Sequence, residues 1–120
     1  MFEVLKQSTG NCLVAHFSGK VTGQEYQQFV GAVEERLRAA NEVNLVLVLS
    51  GLEFYADFAA FKKDVKFSFG EYKRIRRTAL VGDQKWIQLY VGTAGHLTPT
   101  EEKHFPEGQT QAAGDWACAP

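Results

Sequence analysis

The sequence predicts one α/β domain over residues 1–120, with the order β-β-α-β-α-β-α-β-α and a mixed, mostly parallel central sheet packed by helices. Three observations predict it. Apolar side chains stand at Val43 and at every position from Leu45 to Leu49, and a strand with no polar face is one covered on both sides. Helix-start signals precede and follow that run, at Thr22-Gly23-Gln24-Glu25 and at Asp57, giving the strand–helix alternation of parallel α/β folds. Finally, 120 residues with 45% hydrophobic content are enough to bury a core without metals or disulfides.

Taken in order, Phe2 and Val4 alternate with Glu3 and Leu5 in a short strand that ends in the turn formers Gln7-Ser8-Thr9-Gly10-Asn11. Residues 11–19 form the second strand of an antiparallel hairpin, with Leu13, Ala15 and Phe17 on one face and Cys12, Val14, His16 and Ser18 on the other. In the capping box after this strand, the Thr22 hydroxyl and the Glu25 carboxylate each satisfy an orphan N–H of the first helical turn. Tyr26, Phe29, Val30, Val33, Leu37 and Ala40 then make a continuous apolar stripe, and Asn41 is expected to end the helix in the left-handed conformation. The short connection to Val43 makes this helix a crossover between parallel neighbours.

Ser50-Gly51 closes the central strand, and Glu53-Phe54-Tyr55-Ala56-Asp57 leads to a helix over residues 57–69. Phe58, Phe61, Val65, Phe69 and Tyr72 share its sheet-facing side, while Phe67 projects away from them. A basic connector over residues 70–77 precedes a strand at residues 78–82. Asp83 caps the next helix, whose apolar face is read as Trp86, Leu89, Tyr90 and Thr93, with Gly92 and Gly95 weakening its end. Lys103-His104-Phe105 is a brief edge strand before Pro106. The last helix, residues 108–117, presents Ala112, Ala113 and Trp116 to the body of the protein.

Net charge is −1, yet residues 62–85 hold eight Lys or Arg against three Asp or Glu. No apolar run approaches the roughly 20 residues of a membrane helix, and residues 1–10 lack the apolar segment of a signal peptide, so a cytoplasmic protein without a transmembrane segment is expected. Cys12 and Cys118 match no zinc or redox spacing and are expected to be reduced packing residues.

The element order, with LVLSGLEF at its centre, resembles the STAS fold of anti-sigma-factor antagonists and transporter cytoplasmic domains. The segments FSGKVTGQEYQQF, IRRTALVGDQKW and HFPEGQTQAAGDW, with the opening hairpin, resemble the SpoIIAA-like group of bacterial proteins, also described as STAS/SEC14-like, over nearly the whole chain. The resemblance implies a fold and a regulatory or binding role, with no settled activity. Phospho-regulated STAS antagonists carry D-S-S/T-G after the central strand, with a serine that an anti-sigma kinase phosphorylates. Here Tyr55-Ala56-Asp57-Phe58 stands in that place, with no hydroxyl at the phosphoacceptor position unless Tyr55 substitutes. Asp57 is accordingly expected to be a fixed cap whose permanent charge stands where a phosphate would add nearly two.

The expected function is a non-enzymatic interaction module that binds a protein partner or itself as a homodimer, without the usual serine switch. Phe54, Tyr55 and Phe67 are the aromatic anchors, with Asp57 beside them. The alternative is SEC14-like binding of a small amphiphile or anionic lipid between sheet and helices. Phe58, Phe61, Phe69, Trp86 and Tyr90 would line that pocket, and Lys66, Lys73, Arg74, Arg76 and Arg77 would hold a phosphate at its mouth. Nucleic acid is not expected, because the pI is near 6.3 and no recognition motif is present. No catalytic residue, metal or cofactor is expected either. Ser50-Gly51 lacks a nucleophile elbow, no cysteine neighbours a histidine, and Glu101-Glu102 beside His104 has no second ligand cluster. There is no glycine-rich phosphate cradle, and His16, His96 and His104 read as structural, loop and edge residues.

Overall fold

In the computed structural model, which describes residues 1–5, 8, 10–19, 22–52, 74–93 and 101–119 apart from the side chains of Tyr90 and Thr93, five strands form one sheet. They are β1 (Phe2–Val4), β2 (Cys12–Ser18), β3 (Val43–Gly51), β4 (Ile75–Val81) and β5 (Glu101–Phe105), in that spatial order. β1 is antiparallel to β2, and every later pairing is parallel. The helices among the described residues are α1 (Gly23–Ala39), α2 (Lys85–Thr93) and α3 (Thr110–Ala117). The helix expected over residues 57–69 lies outside the described residues. Among those that are described, no helix is long and apolar enough to cross a membrane.

β3 is the middle strand, and both its faces are covered. Val43, Leu45, Leu47 and Leu49 pack with Phe29, Val33 and Leu37 of α1 and with Ile87 of α2. Val46 turns the other way, toward Ala113 and Ala117 of α3. Each such side chain contributes roughly 1.5–3 kcal/mol by leaving water, so an uninterrupted apolar strand is stable only where the topology offers two covers. Asn44 is the exception, a polar residue only 3% exposed in the middle of this sheet.

α1 starts as its sequence dictates. Thr22 is the N-cap, its hydroxyl accepts from the Glu25 amide at 3.1 Å, and the Glu25 carboxylate accepts from the Thr22 amide at 3.2 Å. The same carboxylate reaches back to β1, accepting from the Phe2 amide at 2.7 Å and lying 3.6 Å from the Met1 ammonium. These contacts hold the Glu25 carboxyl below its ordinary value of 4.5: the Thr22 amide bond is the main cause, and the Phe2 amide and the Met1 ammonium act in the same direction against an opposing effect of burial. A carboxyl depressed in the folded state adds stability that is complete above its unfolded value and is lost as pH falls through the folded one. The expected result is that the stability difference between the parent chain and Glu25→Gln, measured by urea denaturation, is constant from pH 7 down to about 5 and narrows as the pH drops below 4.5.

Four local expectations change. α1 ends on Ala40 in an extended conformation rather than on a left-handed Asn41, because Arg74, just before β4, supplies the donors that satisfy its last carbonyls. β4 begins at Ile75, so Arg76 and Arg77 belong to the strand and not to a connector; their stems are half-buried and their charged heads reach the sheet margin. α2 buries Ile87 completely, with Trp86 and Val91 beside it, while Leu89 is exposed. Ile87 packs close to Gly82, where a Cβ would lie 2.8 Å from the Ile87 Cδ1 and 2.5 Å from the Gln84 Oε1. Finally, Cys12 and Cys118 are not separate packing residues: they are disulfide-paired, with Cα atoms 5.5 Å apart across a sequence separation of 106.

Candidate functional site

The four parallel strands deliver their carboxyl ends to one rim, made of Ser18-Gly19, Ser50-Gly51-Leu52, Gly82-Asp83-Gln84 and the turn after Phe105. Main-chain bonds tie neighbouring ends together, from the Gly19 amide to Gly51 O at 3.0 Å and from the Gly82 amide to Phe105 O at 3.0 Å. Side chains complete the lacing. Gln84 Nε2 donates to Leu49 O at 2.7 Å and also to Leu52 O. His104 Nε2 lies 2.6 Å from Gly82 O; a carbonyl can only accept, so this nitrogen carries the proton. Asp83 Oδ1 accepts the Glu107 amide at 2.9 Å, which places this carboxylate on the turn between β5 and α3 as well as at the start of α2.

The point where the chain leaves β3 is therefore fixed from three directions. Gly51 O is held by β2, Leu49 O and Leu52 O are bridged by Gln84, and Leu52 turns back on itself through its amide bond to Leu49 O at 2.8 Å. Leu52 is buried at 3% exposure, which anchors the exit in the core. The contact residues expected from the sequence, Phe54, Tyr55, Asp57 and Phe67, begin immediately after this exit and lie outside the described residues, as do Lys66 and Lys73.

The arginines stand elsewhere. Val43 pairs with Ile75 and Val48 with Val81, so Arg74, Arg76 and Arg77 sit at the amino end of the parallel strands. At about 3.3 Å per residue, the length of β3 puts roughly 26 Å between that end and the Gly51 rim. Near the exit of β3 in sequence, Arg74, Arg76 and Arg77 are far from it in space, because a parallel strand brings its first residues to the start of its neighbour. Their guanidinium groups are also engaged with the protein itself. Arg74 donates to Leu37 O at 2.8 Å, Asn41 O at 3.2 Å and Ala40 O at 3.4 Å, closing the carboxyl terminus of α1. Arg76 donates to Ala119 O at 2.5 Å. Arg77 donates to Trp116 O at 2.7 Å, pairs with Glu101 at 3.4 Å, and lies 5.1 Å from the centre of the Trp116 ring.

Arg74→Ala is expected to cost about 1–3 kcal/mol in urea denaturation by leaving these carbonyls without a charged donor, and Arg74→Lys is expected to recover less than half. One ammonium cannot span three carbonyls as a guanidinium fork does.

His16 is half-buried on β2, paired in register with Glu3 of β1. Among the described residues, no three His, Cys, Asp or Glu side chains converge as a metal site. The residue that sequence reasoning missed at the rim is Gln84. Nothing in its spacing marks it, since its partners are main-chain carbonyls more than 30 positions earlier; the only local hint is its place directly after a strand-ending Gly82-Asp83.

The profile of the SpoIIAA-like family matches residues 12–118. No curated protein matches the sequence. Among solved structures, the chain is similar to the crystal structure of an uncharacterised protein of the DUF3478 family with a SpoIIAA-like fold from Shewanella loihica PV-4. The TM-score is 0.73 at 21% sequence identity, over 98% of this chain and 94% of that one. At that identity the likeness is one of fold.

Proposed function

The chain belongs to the SpoIIAA-like family, and from that premise we propose that it is a non-enzymatic interaction module of STAS type, binding a protein partner or a second copy through the segment that leaves β3. The bridge from Gln84 to Leu49 O and Leu52 O carries this reading. It commits a polar rim side chain to holding an exit in place, as a scaffold does that presents a contact segment. Of the described rim residues, His104 and Asp83 are likewise bonded to the Gly82 carbonyl and the Glu107 amide. Phe54 and Tyr55 supply the apolar contact and Asp57 a fixed negative charge, with Phe67 further along the same segment. No observation among the described residues favours the amphiphile reading, because Arg74, Arg76 and Arg77 are bonded to carbonyls at the far end of the sheet.

The test is photo-cross-linking in the native host with benzoylphenylalanine at Tyr55 or Phe67, and with a control at the exposed Glu34 of α1. A discrete adduct from positions 55 and 67, absent from position 34, is the expected result, and sedimentation of the pure protein tells whether that adduct is a second copy. Adducts from position 34 alone, or equal labelling from all three, overturn the proposal.

A further inference from the structure

We propose that Cys12 and Cys118 form a thiol–disulfide exchange site whose oxidation state sets how firmly α3 is docked on the sheet. The pair lies at opposite ends of the sequence, yet their Cα atoms are 5.5 Å apart, within the range that disulfides span. Cys12 opens β2 and is 3% exposed; Cys118 is the C-cap of α3 and is half-buried. α3 has eight residues, too few to persist as a helix unless it is docked. It is held by burial of Ala113 and Ala117 against Val14, Val46, Ala79 and Val81, by donations from Arg77 to Trp116 O in its last turn and from Arg76 to Ala119 O just past its end, and by the sulfur bridge.

Asn44 supplies a second, independent observation. It is the register neighbour of Cys12 in β3 and is 3% exposed. Its Oδ1 is a buried acceptor without a hydrogen-bond partner among the described residues. Asn44 alternates with Val43 and Leu45, so it lies on the same sheet face as Cys12. An unmet acceptor costs free energy only while no donor is near, and the thiol of a reduced Cys12 is a donor. The site is therefore built to tolerate both states. Cys118 is the accessible sulfur through which exchange enters, and Cys12 is the resolving one.

With a low-molecular-weight disulfide such as glutathione disulfide, the Cys118 thiolate attacks one sulfur. A mixed disulfide forms and one glutathione thiolate leaves. Cys12 then gives its proton to solvent and attacks the Cys118 sulfur, forming the Cys12–Cys118 bond and releasing the second glutathione. The protein loses two electrons and two protons, which the two released thiols carry.

The full chain is titrated in glutathione buffers and quenched with an alkylating agent, and hydrogen exchange at the Ala113 and Cys118 amides is followed in the oxidised and reduced forms. The expected result is a single two-electron transition in which both thiols disappear together. Amide protection in α3 should be at least tenfold higher in the oxidised form, and its melting temperature about 10 °C higher. Cys118→Ser and Cys12→Ala, two variants so that one may fail to fold without loss of the test, should show the reduced-form exchange rates under every condition. Asn44→Leu should move the midpoint about tenfold toward more reducing buffers, because it removes the acceptor that a reduced Cys12 satisfies. A mixed disulfide at Cys118 with Cys12 alkylated at every ratio overturns the proposal, as does equal α3 protection in the two states or an Asn44→Leu midpoint that does not move.

Discussion

Phe29→Ala is expected to lower stability by about 3–5 kcal/mol, the loss seen when a fully buried aromatic ring is removed from a core that cannot collapse around the gap. Phe29 has no exposed surface, and its ring meets two others: Phe17 at 5.4 Å and Phe2 at 5.9 Å between centroids, both edge-on. Phe2 and Phe17 meet in turn at 5.2 Å, which closes a three-ring cluster joining α1, β2 and β1. The backbones on either side are fixed, β2 by its pairing with β3 and the start of α1 by the Thr22–Glu25 box, so the void persists. Phe2→Ala, at the half-buried edge, is expected to cost less than half as much. Urea denaturation of both variants measures the difference. An unchanged m-value with a lower midpoint marks lost packing, whereas a fall in m marks a change in how much surface unfolding exposes.

That cluster also shows which parts of the fold were legible in the sequence. Phe29 and Phe17 fell on the correct faces because helix and strand periodicities are local and strong. The apolar run of β3 announced two covers, and the fold supplies α1 with α2 on one side and α3 on the other. Legibility ended where a partner lies far along the chain. Local sequence points to an Asn41 cap at the C-terminus of α1, yet Arg74 closes it, 37 positions after Leu37. Arg76 and Arg77 read as a connector because a strand's charged residues resemble a loop's when their stems are buried and their heads meet carbonyls. The cysteines illustrate the same limit: spacing rules concern local motifs, and a pair 106 positions apart is brought together only by the order of the strands and the return of α3.

The exit from β3 was legible as the carboxyl end of a parallel strand, while the contact residues expected after it lie outside the described residues. The exit from β3 follows from the general rule that parallel strands present their carboxyl ends, and the structure gives it a rigid frame in Gly19, Leu52 and Gln84. Arg74, Arg76 and Arg77 follow the exit within about 25 positions of sequence. In a parallel pair, however, residues just before a strand stand beside the start of its neighbour, so Arg74 and Gly51 are separated by the length of the sheet. Local charge density carried no information about that inversion.

The frame of the exit yields the second large effect. A Cβ added at Gly51 would overlap the Cβ of Ser18 and stand 2.6 Å from its Cα. Ser18 and Gly51 are register partners just past an irregularity between β2 and β3, so no rotamer relieves the clash; the strand ends must part, and the bond from the Gly19 amide to Gly51 O parts with them. Gly51→Ala is therefore expected to cost about 2–3 kcal/mol, at the upper end for overpacking. Gly31→Ala, in open space on α1, should instead be stabilising by roughly 0.5–1 kcal/mol because it removes a helix glycine. Adding Ser18→Gly to Gly51→Ala should recover only part of the loss, since it removes the Ser18 Cβ but leaves the Cα in place. If the exit is what orients the contact segment, the same variant should also reduce the cross-linking yield from position 55 under conditions where it remains folded. Full stability for Gly51→Ala would mean that β2 and β3 are not held together at this rim, whereas full stability loss with an unchanged cross-linking yield would separate the frame from the contact it is proposed to present.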